Sequence, residues 1–193
     1  MSVTSLILAS ASPRRKALLS GARLAFETIE SGIDEQVVPG EPARHYALRM
    51  ARAKALAVSK RAPQALVLGA DTVVVCGDEI LLKPVDEHEA HQMLARLSGR
   101  THEVITAYAL ASAETILEAN AVVSEVTFQP LSDQQIAEYI ATGEPFDKAG
   151  AYGIQGKGAH FIAKLKGSRE NVMGLPVREV VSALARFGVV PET

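Results

Sequence analysis

The sequence predicts an α/β protein with a mixed, twisted sheet flanked by helices. Short apolar runs alternate with segments rich in helix-forming residues along the 193-residue chain, which is typical of a sheet covered by helices. Some neighbouring apolar runs are separated only by turn residues such as Gly77-Asp78, so part of the sheet is expected to pair as hairpins and not to be purely parallel. No repeat, low-complexity tract or long linker interrupts residues 1–193, which predicts one domain, although the length also fits two small lobes.

The first part of the chain is predicted to alternate strand and helix. Thr4–Ser10 is a short apolar run that predicts a buried strand. Ser12-Pro13 is typical of an N-cap followed by a first-turn proline, and the helix that it starts is predicted to end at Gly21. A strand is predicted over Phe26–Ser31, and a long helix rich in Ala, Leu, Arg and Lys over Pro42–Arg61.

The middle of the chain contains its most apolar strand. Ala65–Cys76 predicts a central buried strand, and the turn after it leads into a short strand over Glu79–Leu82. Asp86 followed by Glu89 is typical of a capping box, for a helix that ends near Ser98-Gly99.

The last part of the chain returns to strands and then ends in a helix. Ser132 with Gln135 three residues later predicts a capped helix start, and the glycines before Gly158 predict a loop. These remaining elements follow in chain order: strands over His102–Ser112 and Thr115–Phe128, a helix from Ser132, a loop over Pro145–Gly158, a strand over Ala159–Leu165 and a helix over Pro176–Phe187.

Composition and charge exclude several classes of function. The chain has 20 Lys+Arg and 22 Asp+Glu, a formal charge of −2, so it lacks the basic field that binds duplex nucleic acid. Cys76 is the only cysteine, which excludes an intrachain disulfide or a thiolate metal cluster and fits a reducing, cytoplasmic location. The longest N-terminal apolar run, Leu6–Ala9, is too short for a signal segment or a membrane span, so secretion and membrane insertion are not expected.

The first predicted helix begins with positive charge. Arg14, Arg15 and Lys16 fall in its first turn, where the helix dipole and the unpaired N–H groups disfavour cations. An external anion such as a phosphate would complete such a helix start. The alternative is a solvated basic surface.

Two acidic positions are candidates for a metal site or a general base. Asp71 interrupts the central apolar strand, and a buried carboxylate must be paired, hydrogen-bonded or metal-bound. Glu35, in the turn after Gly32, is a second carboxylate that could bind a hard cation such as Mg²⁺. The alternatives are a strand-end cap for Asp71 and a solvated turn for Glu35.

Further candidates bind phosphate or read a base. Lys54, Lys83 and Lys148 are candidate phosphate ligands, although a single lysine is usually only a surface residue. The glycine-rich loop contains Gln155, whose amide can donate to and accept from a base edge. The alternative is that this loop is only a flexible surface loop. The five histidines lack zinc-ligand spacing, and no nucleophile elbow is present.

Six motifs follow one another along nearly the whole chain: LILASASPRRKALL (6–19), LGADTVVV (68–75), LKP (82–84), LSGRTHEVIT (97–106), DKAGAYGIQG (147–156) and NVMGLP (171–176). Together they resemble the Maf family of nucleoside triphosphate pyrophosphatases. The resemblance implies an inosine-triphosphatase-like fold with two lobes around a central cleft, hydrolysis of a nucleoside triphosphate to monophosphate and pyrophosphate, a divalent metal (Mg²⁺ or Mn²⁺) and a homodimer.

The resemblance also implies roles for individual residues. Asp71 matches the family's catalytic carboxylate, and Ser10 and Arg15 match positions that hold phosphate. Glu35, Lys54 and Lys83 match further polar positions that line the family's cleft. We therefore expect Asp71 and Glu35 to hold the metal, and Lys54 and Lys83 to bind phosphate with Ser10 and Arg15. Three specificity positions, Arg14, Thr72 and Gln155, match the subgroup that acts on dTTP and UTP. The 7-methyl-GTP subgroup instead has a bulky residue, Gln and Glu there. The chain departs from the family pattern at two positions. Ala11 replaces a glycine or polar residue, and Arg169 stands where an aromatic residue is frequent.

The expected activity is therefore water attack on the α-phosphorus of dTTP or UTP, as a nucleotide house-cleaning reaction. Two alternatives remain open besides the 7-methyl-GTP activity. One is a nucleotide-binding regulator of cell division and septum formation, and the other is an enzyme whose natural substrate is a modified pyrimidine nucleotide.

Overall fold

A computed structural model describes residues 5–192. Within that range the chain forms seven strands: β1 (Leu6–Leu8), β2 (Glu27–Thr28), β3 (Leu66–Cys76), β4 (Glu79–Leu81), β5 (Thr101–Ser112), β6 (Thr115–Phe128) and β7 (Ile162–Lys166). The same range contains six α-helices: α1 (Pro13–Gly21), α2 (Ala43–Ser59), α3 (Glu87–Leu97), α4 (Asp133–Ile140), α5 (Arg169–Met173) and α6 (Val177–Ala185).

The strands form one mixed sheet, as the sequence predicts. Their order is β2-β1-β3-β5-β6-β7, and β4 pairs with β3. β1 runs parallel to β2 and to β3, with Leu8 opposite Leu68. β4 is antiparallel to β3 and β7 is antiparallel to β6, so the predicted hairpin after β3 is confirmed.

The chain divides into two compact units. The first contains the described residues as far as Asp71, together with Thr106–Val122 and the chain from Gly174. The second contains Thr72–Ile105 and Val123–Met173. A single domain over residues 1–193 stays a prediction.

Each unit has its own apolar core. In the first unit, the largest fully buried side chains include Leu8, Leu68 and Leu184. In the second unit, Phe128 packs edge-on against Tyr152 and Phe161, with ring centroids 4.7 and 5.9 Å apart. In the described part of the chain, no helix has the length and apolar character needed to cross a membrane.

Local capping chemistry fixes several helix starts. The hydroxyls of Ser12 and Ser132 cap α1 and α4, and Gln135 completes the predicted capping box at α4. The Asp86 carboxylate caps α3 by accepting from the Glu89 amide at 2.8 Å. The Glu89 carboxylate, however, accepts from Val85 and not from Asp86, so only half of that predicted box forms.

The structure corrects several predicted boundaries. Thr4 lies outside the described residues, and the strand predicted over Phe26–Ser31 is only β2, because this edge strand pairs at two positions with β1 and the chain then turns at Gly32 (φ 65°). The predicted loop over Pro145–Gly158 contains 3₁₀ turns at Glu144–Asp147, Ala149–Ala151 and Gly156–Phe161. The last of these turns packs Phe161 against Tyr139, so β7 begins at Ile162 and not at Ala159. Helix α5 was not predicted.

Candidate active site

The basic start of α1 is organised around two serine hydroxyls. Ser12 Oγ accepts from the Arg15 amide at 3.4 Å, and Ser10 Oγ accepts from the Ser12 amide at 3.1 Å. Arg14 is half-buried, Lys16 is exposed, and no acidic residue lies in this first turn. The helix start therefore presents positive charge and N–H groups without an acidic side chain of its own to balance them.

The Arg15 guanidinium is held in a fixed direction. Its Nε donates to the Gly174 carbonyl at 2.8 Å, and its Nη1 donates to Ser10 Oγ at 3.4 Å. Burial lowers the pKa of Arg15, while the negative charges of Asp71 and Glu35 raise it. Arg15 therefore lies in the electrostatic field of both predicted acidic residues.

Lys54 joins those two carboxylates. Its Nζ lies 2.6 Å from Asp71 Oδ1 and 2.6 Å from Glu35 Oε1. The side chains of Lys54 and Asp71 are each only 7% exposed, whereas that of Glu35 is 43% exposed. The structure thus brings together Ser10, Arg15, Glu35, Lys54 and Asp71, all in the first unit.

Burial and neighbouring charges act in opposite directions on the pKa of Asp71. Burial raises the pKa of the Asp71 carboxyl, and the charges of Lys54 and Arg15 act against that rise. Tyr46, on the same helix as Lys54, has a pKa raised to about 12 by burial and by the negative charges of Asp71 and Glu35. Asp71 is therefore a carboxylate whose affinity for a proton is increased by its surroundings.

Gly69 explains how Lys54 reaches the sheet. A Cβ at this position would lie 2.3 Å from the Ala51 carbonyl oxygen and 2.7 Å from the Ala55 amide nitrogen. Helix α2 therefore packs directly on the backbone of β3. Gly69 and Asp71 are two residues apart and share a face of that strand, so the close packing places Lys54 beside Asp71.

The segment that carries Glu35 has no regular secondary structure over residues 29–42 and is anchored on α2. The Tyr46 hydroxyl donates to the Glu35 carbonyl at 3.2 Å. Arg49 Nη2 donates to the Gln36 carbonyl at 3.0 Å, and the same guanidinium pairs with both carboxylate oxygens of Glu41 at 2.8 and 2.5 Å. These bonds hold Glu35 within reach of Lys54.

The donor set fits a hard divalent cation. Two carboxylate oxygens, from Asp71 and Glu35, converge on the Lys54 ammonium. Among residues 5–192 no cluster of three or more His, Cys, Asp or Glu side chains could bind a metal. Mg²⁺ is commonly bound through one or two carboxylates together with water and substrate phosphates, so Asp71 and Glu35 are the residues that could hold one.

The remaining predicted residues belong to the second unit. Thr72 follows Asp71 on β3 and is half-buried, while Lys83 and Gln155 are exposed. Lys148 donates to the Glu144 carbonyl at 2.5 Å and to Asp147 Oδ1 at 2.6 Å, so its known contacts lie within its own segment.

Two functional contacts escaped sequence reasoning. Tyr46 supports Glu35 through its hydroxyl, and the Gly174 carbonyl orients Arg15. The eight-residue spacing of Tyr46 and Lys54 places both on one face of a helix, which is a signal that could have found Tyr46. Gly174 lies in the NVMGLP motif, but the motif does not predict that the Gly174 carbonyl contacts Arg15.

Comparison with known proteins identifies the family of this chain. Residues 5–187 match the family described as Maf-like protein. The chain is 51% identical to the dTTP/UTP pyrophosphatase of Escherichia coli O157:H7 over 98% of this chain and 96% of that protein. It is 50% identical to a nucleoside triphosphate pyrophosphatase of Shigella flexneri, with the same coverage.

A solved structure of a HAM1 protein from Coxiella burnetii aligns more distantly, at 13% identity and a TM-score of 0.48, over 94% of this chain and 98% of that one. The full-length similarity to curated relatives, together with the family match, establishes the chain as a member of the Maf family.

Proposed function

We propose that this protein hydrolyses dTTP and UTP to the nucleoside monophosphate and pyrophosphate. The observation that carries the proposal is the Lys54 ammonium between Asp71 and Glu35, in the same unit as the basic start of α1. Carboxylates that bind a cation, next to cations that bind phosphate, are the requirements of phosphoryl transfer. The names of the relatives described above support the substrate assignment.

The triphosphate is proposed to bind to hydroxyl and cationic groups. Ser10 and Arg15 would donate to phosphate oxygens at the start of α1, where backbone N–H groups add to the attraction. Lys54 would contribute a compact positive charge. Lys83, in the second unit, is assigned to phosphate by its motif match, as a further positive charge.

Asp71 and Glu35 would hold the divalent cation, Mg²⁺ or Mn²⁺. When bound there, it supplies positive charge that offsets the charge on phosphate oxygens. Since Asp71 is buried and Glu35 is partly exposed, Asp71 is the more rigidly placed ligand of the two.

Asp71 is also proposed as the base for the attacking water. The water oxygen forms a bond to the α-phosphorus while the bond to the bridging oxygen of the leaving pyrophosphate breaks. The proton of the water passes to the Asp71 carboxylate, whose affinity for a proton is increased by burial. Arg15 and Lys54 offset the charge that develops on the leaving group.

Base selection is proposed for Arg14, Thr72 and Gln155, as in the subgroup that the sequence resembles. Hydrogen bonds to a pyrimidine edge would discriminate between bases, because a wrong base that covers these side chains would leave their polar groups unpaired. A modified pyrimidine nucleotide with the same edge would be accepted by the same residues. The expected location is the cytoplasm, in keeping with a single unpaired cysteine, and the expected assembly is a homodimer.

A pyrophosphate-release assay over common and modified triphosphates tests the activity. Asp71→Asn should remove most turnover of dTTP and UTP, at least about 100-fold for a lost base, while the variant stays folded by circular dichroism. Asp78→Asn, in the exposed turn after β3, is the matched control and should retain turnover. Near-normal activity of Asp71→Asn would contradict the proposal, and binding of nucleotide without hydrolysis by the wild type would favour a regulator.

Gln155→Glu tests the assignment of the base. The carboxylate can no longer donate to an oxygen of the pyrimidine, so kcat/KM for dTTP and UTP should fall, by roughly tenfold for a hydrogen bond that is lost where the bound base excludes water. Gln134→Glu, the same change on the exposed face of α4, serves as its control. An unchanged substrate profile would remove Gln155 from the proposal.

A further inference from the structure

The segment around Gln155 is attached to a single carboxylate. Glu144 Oε2 accepts from the Lys157 amide at 3.1 Å, and Glu144 Oε1 accepts from the Gly158 amide at 3.3 Å. The same Oε1 accepts from the Tyr139 hydroxyl at 3.0 Å, and that hydroxyl accepts in turn from the Gly153 amide at 3.2 Å. Two residues on one side of Gln155 and one on the other are therefore tied to Glu144, directly or through Tyr139.

The glycines of this segment allow the close approach. Gly156 has φ 76°, and a Cβ there would lie 2.8 Å from Glu144 Oε2. At Gly158 a Cβ would lie 2.8 Å from the Tyr139 hydroxyl and 2.6 Å from the Gly153 carbonyl oxygen. The backbone thus packs directly on the carboxylate and the phenol, with no room for a side chain between them.

A second contact holds the residue that precedes Gln155. Arg169 Nη2 donates to the Ile154 carbonyl at 3.1 Å, and this arginine stands where the family frequently has an aromatic residue. Tyr152, three residues before Gln155, is held by a 2.7 Å hydrogen bond between its hydroxyl and His102 Nε2. The backbone is held before and after Gln155, while the Gln155 side chain itself is exposed.

We propose that Glu144 is a positioning residue for base selection, which holds the backbone on either side of Gln155 so that its side chain extends from a fixed position. The inference rests on the proposed function, in which Gln155 reads the pyrimidine. An amide discriminates between bases only when its donor and acceptor are held in place, because a freely moving amide pairs with either edge. The carboxylate is suited to this task because charge-assisted bonds to amides are stronger than neutral ones.

The experiment compares Glu144→Ala and Glu144→Gln with wild type for kcat/KM on UTP and on CTP. Loss of bonds to a charged acceptor is expected to lower the UTP preference by roughly tenfold or more, mainly through a higher KM for UTP. Glu144→Gln keeps one acceptor oxygen and should retain part of the preference. Glu138→Ala is the matched control, since this exposed residue on α4 accepts from Gln134, and it should leave the preference unchanged.

A double-mutant cycle separates positioning from general stability. If Glu144 acts through Gln155, then Glu144→Ala should cause no further loss of UTP preference in a Gln155→Ala background. Amide hydrogen exchange gives a readout without activity: the Lys157 and Gly158 amides should exchange faster in Glu144→Ala, but not in Gln155→Ala.

The outcomes are distinguishable. A wild type that releases no pyrophosphate from UTP overturns the proposed function. A selective wild type with an equally selective Glu144→Ala, or an undiminished additional loss in the double variant, overturns the role of Glu144 alone. Unchanged exchange of the two amides in Glu144→Ala overturns the anchor itself.

Discussion

Replacing Lys54 by methionine tests whether the two carboxylates form a cation site. Methionine keeps an unbranched apolar stem but removes the ammonium that lies 2.6 Å from both Asp71 and Glu35. Loss of one partner of a buried ion pair costs about 3–5 kcal/mol, and the lower end applies because Asp71 can take up a proton. Glu35 adds little, since its side chain is 43% exposed. For a chain of this length, about 3 kcal/mol corresponds to a Tm lower by roughly 6–12 °C.

Thermal unfolding with and without Mg²⁺ provides the assay. In the variant a bound cation would replace the missing positive charge, so its Tm should rise more with Mg²⁺ than that of the wild type. Lys60→Met, an exposed lysine at the end of α2, is the control and should change neither Tm nor the response to Mg²⁺. A Lys54→Met protein as stable as the wild type, or one with the same Mg²⁺ response, would refute the reasoning.

Two further predictions concern stability. Burial lowers the pKa of His102 to about 4, so the unfolded chain takes up a proton first as the pH falls from about 6.5. Between about pH 6.5 and pH 4 the free energy of unfolding of the wild type should therefore fall by about 3 kcal/mol relative to that of His102→Gln. Urea unfolding of both proteins over this pH range tests this, and a difference that does not change with pH would contradict it. Gly69→Ala should destabilise by about 3 kcal/mol because its Cβ meets the Ala51 carbonyl. Gly21→Ala is the control and should not destabilise the protein, because no atom lies within 4 Å of a Cβ at that position. Equal unfolding midpoints for Gly69→Ala and the wild type would count against close packing of α2.

The elements that the sequence predicted well are those whose chemistry is local. Ser12 and Ser132 cap the helices that follow them, and the turn after Cys76 closes a hairpin. The glycine-rich segment before Gly158 was predicted as a loop, because its last 3₁₀ turn is held by Glu144, which accepts from the Lys157 and Gly158 amides and lies outside the run of glycines.

The candidate site shows the same limit. An acidic residue in an apolar strand was enough to single out Asp71, but its partner Lys54 is 17 residues away and reaches it only because α2 packs on Gly69. Glu35 was a candidate because it is a second carboxylate in the turn after Gly32, and the family resemblance added a second reason. Its position follows from the hydrogen bond that the Tyr46 hydroxyl donates to its backbone carbonyl, and the sequence does not show that these two groups meet.

The stretch from Glu35 to Glu41 is fastened by side chains of a single helix. Tyr46, Arg49 and Lys54 all project from α2, and each holds a different part of the stretch. The attachment of this stretch therefore depends on α2. Val37 and Val38 are exposed in this stretch. Limited proteolysis followed by gel electrophoresis would therefore show whether the stretch has detached from α2 while the rest of the protein stays folded.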